Sequence, residues 1–278
     1  MTVLNVLTAE KREFPVHSGK INPSSKYHAL VHPHLASTNI AVGLGNDPEV
    51  RRLLAAHPAL GLLSDQDRIT LLRGANLGVL KRLDVICFQG DPAVHVVLVL
   101  DGFLKLSATL ADGSEVFLSV AGPGDCVGEL LALQKREHDA NVTALSACRL
   151  LMIDARLFRQ VFEHKPEGLM ALLRLADGQL QTAIERLLDS RARTAAVRLS
   201  KVLLEVARLA DRGPCGNKSL LMRLSQSELG VMAGMSREMV NKHLATWRDA
   251  GWIQMSGGTV SSVNKDALLA MSCEDIQY

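Results

Sequence analysis

The chain has 278 residues, 47% of them hydrophobic and 22% charged, which is ordinary for a soluble globular protein and enough for two domains. No apolar run approaches the ~20 residues of a membrane span, and the N-terminus lacks the basic start and apolar block of a signal peptide, so we expect a cytoplasmic protein without membrane contact. The net charge is only +2, but residues 191–278 hold 12 Lys and Arg against 8 Asp and Glu, a balance of +4 that favours an anionic partner for this part.

Residues 1–45 have mixed polarity and no steady hydrophobic period, and they include the loop-like stretch HSGKINPSSK. We expect an N-terminal extension that is mobile or lies over the body of the protein. It contains four histidines, His17, His28, His32 and His34. His28 and His32 could share a helical face, but Pro33 follows and no carboxylate or cysteine lies nearby, so we expect no metal site.

Residues 46–165 are expected to form a sensor domain with short helices followed by a β-roll. In the first part, apolar residues recur at spacings of three and four, which predicts helices. From Val85 onward, runs rich in Val, Leu and Phe are interrupted by Gly-Asp-Pro, Asp-Gly and Gly-Pro-Gly-Asp, which is typical of short strands in a compact roll or barrel. Asp101-Gly102, between two apolar runs, predicts a β-hairpin.

Residues 166–190 are expected to form one long helix that begins at Pro166. A shorter helix, marked by Phe158, Val161 and Phe162, precedes it. The long helix carries an apolar stripe made of Leu169, Leu172, Leu173, Leu180, Ile184, Leu187 and Leu188. Because this stripe exceeds what one small roll can cover, we predict a homodimer formed through the helix. The alternative is packing within the same chain.

Residues 191–278 are predicted to form a DNA-binding domain. Ser225 and Glu228 have the spacing of a capping box at the start of a helix. Gly234 ends that helix, because glycine accepts the left-handed turn conformation, and Ser236 can cap a second helix. Two helices joined by a three-residue turn predict a helix-turn-helix.

The second helix, from Arg237 to about Asp249, is predicted to have one polar and one apolar side. At ~100° per residue, the side predicted to be buried consists of Met239, Val240, Leu244 and Trp247. Arginine can bond two guanine acceptors, glutamate can accept from cytosine N4, and lysine can reach guanine or phosphate. The predicted DNA-binding residues are Ser225, Gln226, Ser236, Arg237, Glu238, Asn241 and Lys242. Gly257-Gly258 then predicts the turn of a β-hairpin wing.

From about residue 50 to about 265 the chain resembles the CRP/FNR family of bacterial transcription regulators. The resemblance is carried by FQGDPAVHVVLVLDGFLKL, GPGDCVGE and LSQSELGVMAGMSREMVNKHL. It implies an α+β fold with an eight-stranded β-roll of the cyclic nucleotide-binding type, a long dimerisation helix and a C-terminal winged helix-turn-helix. It also implies a homodimeric, sequence-specific regulator that is controlled by a small effector and contacts RNA polymerase.

In that family the recognition helix reads palindromic, TGTGA-like half-sites in double-stranded DNA. The readers are an Arg, a Glu and a basic residue four positions beyond the Glu, which implies Arg237, Glu238 and Lys242 here. The family more often has Arg where Lys242 stands, so the detailed base preference is open.

The resemblance further implies an effector pocket in the roll. In cyclic nucleotide-binding relatives a Gly-Glu-Leu turn opens a short helix that cradles the phosphate, and the Glu bonds the ribose. Gly128, Glu129 and Leu130 keep this turn, and backbone amides at such a helix start suit an anion. The Arg-Ser pair that binds the phosphate in those relatives is replaced here by His138 and Asp139.

The remaining pocket positions also depart from that pattern. Arg136 could substitute for the missing arginine only if its loop were remodelled. On the long helix, Ala183 and Ile184 stand where relatives place hydroxyl groups, and Thr182 is one position away. The candidate effector-binding residues are Gly128, Glu129, Leu130, Arg136, His138, Asp139 and Thr182. We hypothesise that cyclic AMP binding is lost or altered, and that the pocket holds another ligand, such as a cyclic dinucleotide, or serves only as a scaffold.

Other sensing chemistries have little support in the sequence. The cysteines are odd in number and widely spaced, which predicts buried, reduced thiols rather than disulfides, zinc or an iron–sulfur cluster. The cysteines are Cys87, Cys126, Cys148, Cys215 and Cys273. A haem ligand could come from Cys87, Cys126, His95 or His138, but no signature marks one of them.

Two other classes of protein are alternatives to a DNA-binding regulator. A cyclic-nucleotide-binding module that controls a partner protein would share the roll but would have no use for residues 225–263. An enzyme would need reactive groups in a recognisable arrangement. The sequence has no Walker loop, Gly-x-Ser-x-Gly or His-Glu-x-x-His, and we expect no catalytic residues.

Overall fold

The computed structural model describes Leu44, residues 47–211 and residues 224–272, apart from the side chains of Arg191 and Ala192. The predicted N-terminal extension with its histidines, and Cys215 and Cys273, lie outside the described residues. In the part of the chain that is described, no helix is both long and apolar enough to cross a bilayer.

Helices flank a central group of strands, and further helices and a hairpin follow. The helices are α1 (Pro48–Ala56), α2 (Asp65–Arg73), α3 (Glu129–Gln134), α4 (Ala155–Phe162), α5 (Pro166–Ala192), α6 (Ala195–Asp211), α7 (Gln226–Ala233), α8 (Arg237–Asp249) and α9 (Lys265–Ser272). The strands are β1 (Ala75–Leu80), β2 (Val85–Cys87), β3 (His95–Asp101), β4 (Leu104–Thr109), β5 (Glu115–Ala121), β6 (Cys126–Val127), β7 (Asn141–Ala144), β8 (Cys148–Asp154), β9 (Ile253–Ser256) and β10 (Thr259–Val263).

Strands β1 to β8 form the predicted eight-stranded roll from two four-stranded antiparallel sheets. Their orders are β1-β8-β3-β6 and β2-β7-β4-β5. Strand β3 is buried on both faces, because alternate side chains point in opposite directions. Val96 and Leu98 pack in the core that includes α1, α2 and α4, whereas Val97 and Val99 pack in a second core with residues of both sheets. The α+β prediction is therefore confirmed for the roll.

The hairpin predicted at Asp101-Gly102 is wrong, because β3 and β4 lie in different sheets. Gly102 has a φ of +85°, and a Cβ there would lie 2.3 Å from the carbonyl oxygen of Ala147. The chain passes from one sheet to the other at this close-packed glycine. The hairpin forms instead between β4 and β5, where Thr109 pairs with Glu115 across the Asp-Gly-Ser turn.

Helix α5 presents part of the predicted apolar stripe to solvent. Leu172 is buried against its own chain, whereas Leu173 is 60% and Leu180 57% exposed. Leu187 and Leu188 are exposed farther along the same helix. The described part of the chain thus leaves one apolar face of α5 uncovered.

The roll and the C-terminal domain share one hydrophobic core within the chain. Phe103 and Phe117 of the roll belong to the same buried cluster as Leu203 of α6 and Trp247 of α8. Arg186 of α5 reinforces this junction, since its guanidinium lies 5.1 Å from the centre of the Phe117 ring and 2.8 Å from a Glu205 carboxylate oxygen of α6. Residues of the roll and of α5 therefore contact the C-terminal domain directly.

His57, which follows α1, makes a pH-dependent contribution to stability. Its Nδ1 accepts the backbone N–H groups of Ala59 and Leu60, both at 3.2 Å, and burial lowers its pKa to about 4. We expect His57→Ala to reduce the free energy of unfolding by about 2 kcal/mol at pH 7.5, because two buried donors lose their acceptor. Urea denaturation followed by circular dichroism measures this loss.

The difference between wild type and His57→Ala should also shrink below pH 6.5. The folded-state pKa lies below the unfolded value of 6.5, so the unfolded chain binds a proton first and the stabilisation by His57 is lost as pH falls from 6.5 towards 4. The slope approaches about 1.4 kcal/mol per pH unit, so the difference of about 2 kcal/mol should fall to near zero by about pH 5. His164→Ala, at an exposed histidine, is the matched control, and a difference that stays constant with pH would contradict the assignment.

Candidate DNA interface and effector pocket

The predicted helix-turn-helix is confirmed in its local geometry. The Ser225 backbone N–H donates to Glu228 Oε2 at 2.7 Å, and the Glu228 N–H donates to Ser225 Oγ at 3.2 Å, which completes the capping box of α7. Gly234 follows α7 with a φ of +62°. Ser236 Oγ then accepts the N–H of Met239 at 3.3 Å and caps α8. These contacts fix where α7 begins, where it ends and where α8 begins.

Two arginines hold the motif from outside it. Arg198 of α6 donates to the carbonyl oxygens of Ala233, at 3.0 Å, and Gly234, at 3.3 Å, and so holds the turn between α7 and α8. Arg82, between β1 and β2, donates to both carboxylate oxygens of Glu228 at 2.8 and 3.1 Å. Sequence reasoning missed both residues, because partners this distant in sequence leave no local pattern.

The outer face of α8 carries the predicted base-reading residues. Arg237, Glu238, Asn241 and Lys242 are all exposed. The Glu238 carboxylate accepts hydrogen bonds from its own backbone N–H and from Ser236, and these bonds lower its pKa. At neutral pH it is therefore ionised and acts only as an acceptor, as a contact to cytosine N4 requires.

Met239 is 45% exposed, so the prediction that it is buried is wrong. Val240, Leu244 and Trp247, which were predicted on the same side, are buried. They project between about 280° and 340° from Arg237, whereas Met239 projects at about 200°. The covered arc of α8 is thus narrower than its apolar arc, and Met239 lies outside it.

The predicted wing is present as the β9–β10 hairpin. Ser256 pairs with Thr259 across Gly257 and Gly258, whose φ angles are +58° and +81°. Positive φ at both central residues matches the twist of a tight hairpin. The rings of Trp247 and Trp252 stack with centroids 6.2 Å apart, which joins the wing to α8.

Four of the candidate effector residues come together at the start of α3. Gly128 caps the helix with a φ of +89°, and the imidazole of His138 lies 3.5 Å from the position that a Cβ on Gly128 would occupy. Glu129 is buried, and burial raises its pKa to about 7. Burial also lowers the pKa of His138, and Leu130 beside Glu129 is half-buried. At neutral pH the imidazole at this helix start is therefore uncharged.

The other candidates lie apart from this cluster. Arg136 and Asp139 are both exposed and face each other, with Arg136 Nη2 3.9 Å from Asp139 Oδ2. Asp139 therefore points to solvent rather than towards the start of α3. Thr182 lines a groove of about 630 Å³ formed by residues of β5, α5, α6 and α7, and its Oγ1 donates to the carbonyl oxygen of Gly178.

The described cysteines behave as apolar core residues. Cys87 and Cys148 are buried, Cys126 is partly buried, and burial raises the pKa of the Cys87 thiol to about 12. Among the residues that the structure describes, no group of three or more His, Cys, Asp or Glu side chains could hold a metal ion.

Comparisons with known proteins agree with this architecture. The family model of the cyclic nucleotide-binding domain matches residues 78–165, and that of the Crp-like helix-turn-helix domain matches residues 197–271. The cyclic AMP receptor protein of Thermus thermophilus is 30% identical over 189 residues, which cover 66% of this chain and 82% of that protein. A CRP-like cAMP-activated global transcriptional regulator of Mycobacterium tuberculosis is 28% identical over 172 residues, which cover 62% of this chain and 77% of that protein.

Solved structures share the fold. FixK2 from Bradyrhizobium japonicum superposes with a TM-score of 0.62 at 20% identity, over 72% of this chain and 98% of that chain. A CRP/FNR-family transcriptional regulator from Thermus thermophilus has a TM-score of 0.54 at 22% identity, over 71% and 98% of the two chains. At these identities the likeness concerns the fold alone.

A cyclic nucleotide-binding domain joined to a Crp-like helix-turn-helix domain defines the class of CRP-like transcription regulators. Within that class, the chain belongs to the CRP/FNR family.

Proposed function

We propose that the chain acts in the cytoplasm as a homodimer that binds palindromic DNA with TGTGA-like half-sites and contacts RNA polymerase. The observation that carries this proposal is the outer face of α8. Arg237, Glu238 and Lys242 are exposed together there, while Ser236 caps α8 and Arg198 holds the turn before it. The N-terminal residues of such a helix are those that reach base edges in the major groove.

We also propose that the uncovered face of α5 is the dimer interface. It is apolar and long, and the self-complementary face of a two-fold dimer suits a single helix paired with its own copy. Two α8 helices presented by such a dimer would contact half-sites about one helical turn apart. The names of relatives that act as cAMP-activated regulators are consistent with this arrangement.

The proposed domains follow the order of the helices and strands along the chain. Residues 46–165 are the sensor domain, residues 166–190 the dimerisation helix, and residues 191–278 the DNA-binding domain, while residues 1–45 form an extension. The matched family regions, 78–165 and 197–271, fall inside the sensor and DNA-binding parts. A change of the roll on effector binding would reach α8 through the shared core and through the contacts of Arg186.

Fluorescence anisotropy with the full chain tests the DNA-binding proposal. The probe is a 30-base-pair duplex with two inverted TGTGA half-sites whose centres lie about one turn apart. We expect it to bind about 1,000-fold or more tightly than a scrambled duplex. Inserting five base pairs between the half-sites should abolish most of this preference, because it rotates one site by half a turn. Equal binding of all three duplexes would favour a module that controls a partner protein.

For the effector, we propose that cyclic AMP binds weakly or not at all at neutral pH. The phosphate of a cyclic nucleotide at the start of α3 would meet the uncharged His138 and the buried Glu129. Arg136, the cation nearest to His138 in sequence, is turned towards Asp139. With no cation among the described residues of this cradle, a phosphate there loses the charge-assisted bonds that usually hold it. The alternatives are that the pocket binds a larger anion, such as a cyclic dinucleotide, or that it binds no ligand.

The paired change His138→Arg with Asp139→Ser is expected to increase affinity for cyclic AMP by about 10-fold or more, because one charge-assisted bond contributes about 1.5–3 kcal/mol. Isothermal titration calorimetry at pH 7.5 measures the gain. Arg136→Ala is the control and should leave the affinity unchanged, since its side chain faces Asp139. Micromolar binding of cyclic AMP by the wild type would refute the proposed weakness.

A further inference from the structure

The first turn of α8 carries one apolar side chain that its own chain leaves exposed. Arg237, Glu238 and Met239 form this turn, and Met239 is 45% exposed. Its backbone N–H is already bonded to Ser236 Oγ at 3.3 Å, so only the side chain is available to a partner. The first turn of a recognition helix is the part that lies deepest in the major groove.

The direction of the Met239 side chain places it beside the predicted base readers. On the helical projection the exposed arc runs from Arg237 at about 0°, through Glu238 and Lys242, to Met239 at about 200°. Met239 and Lys242 are three residues apart, which makes them neighbours on the helix surface. Met239 therefore borders the polar readers instead of facing away from them.

The chemistry of the side chain restricts what it could contact on DNA. A thioether has no hydrogen to donate and is only a weak acceptor, so it cannot bind phosphate oxygens. The apolar group that the major groove displays is the C5-methyl of thymine, and side chains read it by apolar contact. The unbranched, flexible side chain of methionine can adapt its shape to such a contact.

We infer that Met239 is a specificity-determining residue that contacts the C5-methyl group of one thymine in each half-site. The inference rests on the proposed function, in which α8 enters the major groove. It adds an apolar reader to the polar contacts of Arg237, Glu238 and Lys242. It selects thymine over uracil and over cytosine at the contacted position.

Thymine-to-uracil scanning tests this inference, because uracil removes only the methyl group and keeps every base pair. The probe is the tightest duplex selected by the wild-type chain from a library with randomised palindromic half-sites. Each thymine pair is replaced symmetrically by uracil, and affinity is measured by fluorescence anisotropy. One position should lose about 4-fold per half-site, or about 16-fold for the dimer, from about 0.8 kcal/mol per buried methyl-sized group.

Variants then assign that loss to Met239. Met239→Gln keeps the length of the side chain but makes its end polar, and the thymine-to-uracil ratio should fall from about 16 to near 1. Met239→Leu, which stays apolar, should retain at least half of the discrimination on a logarithmic scale. Leu269→Gln, at an exposed apolar residue of α9, is the matched control and should keep the full ratio. Thermal melting of each variant verifies that the fold is intact.

The outcomes separate this inference from the function on which it rests. If wild-type protein selects no duplex above the random pool, the proposed function fails and the role of Met239 falls with it. If a duplex is selected but no uracil position loses affinity, or Met239→Gln keeps the wild-type ratio, DNA binding stands and the assignment of Met239 is overturned.

Discussion

Replacing Leu173 and Leu180 together with Asp is expected to separate the dimer and to weaken DNA binding by at least about 100-fold. Each leucine is more than half exposed in the single chain, and burying a leucine contributes about 1.5–3 kcal/mol. The change removes four such side chains from a dimer and places like charges across the interface. Sedimentation velocity at micromolar concentration measures the mass, and anisotropy on the palindromic duplex measures the affinity.

The control lies one residue farther along the same helix. Arg174→Asp with Gln181→Asp has the same seven-residue spacing, and both positions are exposed. It adds at least as much negative charge, but each of its side chains points about 100° away from the leucine that precedes it, Leu173 or Leu180. This variant should remain a dimer. A wild-type chain that sediments as a monomer, or a leucine variant that stays dimeric, would show that the uncovered face of α5 is not the interface.

Much of the fold follows from short-range signals in the sequence. The Ser225–Glu228 capping box, Gly234 and Pro166 each mark a helix end with contacts that lie within a few residues, and the structure has helix ends at these places. Strand pairing is different, because Asp101-Gly102 would suit a hairpin on local grounds. Packing of the sheets instead decides which strands pair, and it puts β3 beside β8 and β4 beside β7. Local turn chemistry cannot encode that choice.

The candidate sites show the same division. The exposed arc that includes Arg237 and Lys242 follows from helical periodicity alone, whereas Arg82 and Arg198 depend on contacts that only the fold creates. The prediction that Met239 is buried is wrong because a projection gives the direction of a side chain but not the width of the surface that neighbours cover. Exposure of that kind needs the packing of α7 and the wing around α8.

In the candidate effector pocket, the sequence predicts residues that lie together around Glu129 but not the orientation of their loop. His138 lies at the start of α3, where the predicted substitution for a phosphate-binding arginine would place it. Asp139 instead pairs with Arg136, three residues earlier. Two opposite charges at this spacing can pair with each other or face the pocket, and the sequence does not decide between these alternatives.

Arg237→Ala is expected to reduce affinity for the specific duplex by about 1–3 kcal/mol per half-site and to relax the base preference at one position. The reason is that a bidentate contact to guanine is lost in each half-site, whereas contacts to the phosphate backbone are kept. Binding to scrambled DNA should therefore change little. Competition assays with duplexes that vary each base in turn measure both effects.

Arg248→Ala provides the matched change at the other end of α8. Arg248 is exposed and pairs with Asp249 at 2.9 Å. It lies about 16 Å along the helix from Arg237, so we expect it to contact phosphate groups and no base edges. We expect a small loss that is equal for specific and scrambled DNA, with a shallower dependence on salt because fewer counterions are released. If Arg237→Ala showed the same uniform loss, then Arg237 would act as a phosphate contact, and the first turn of α8 would not read the sequence.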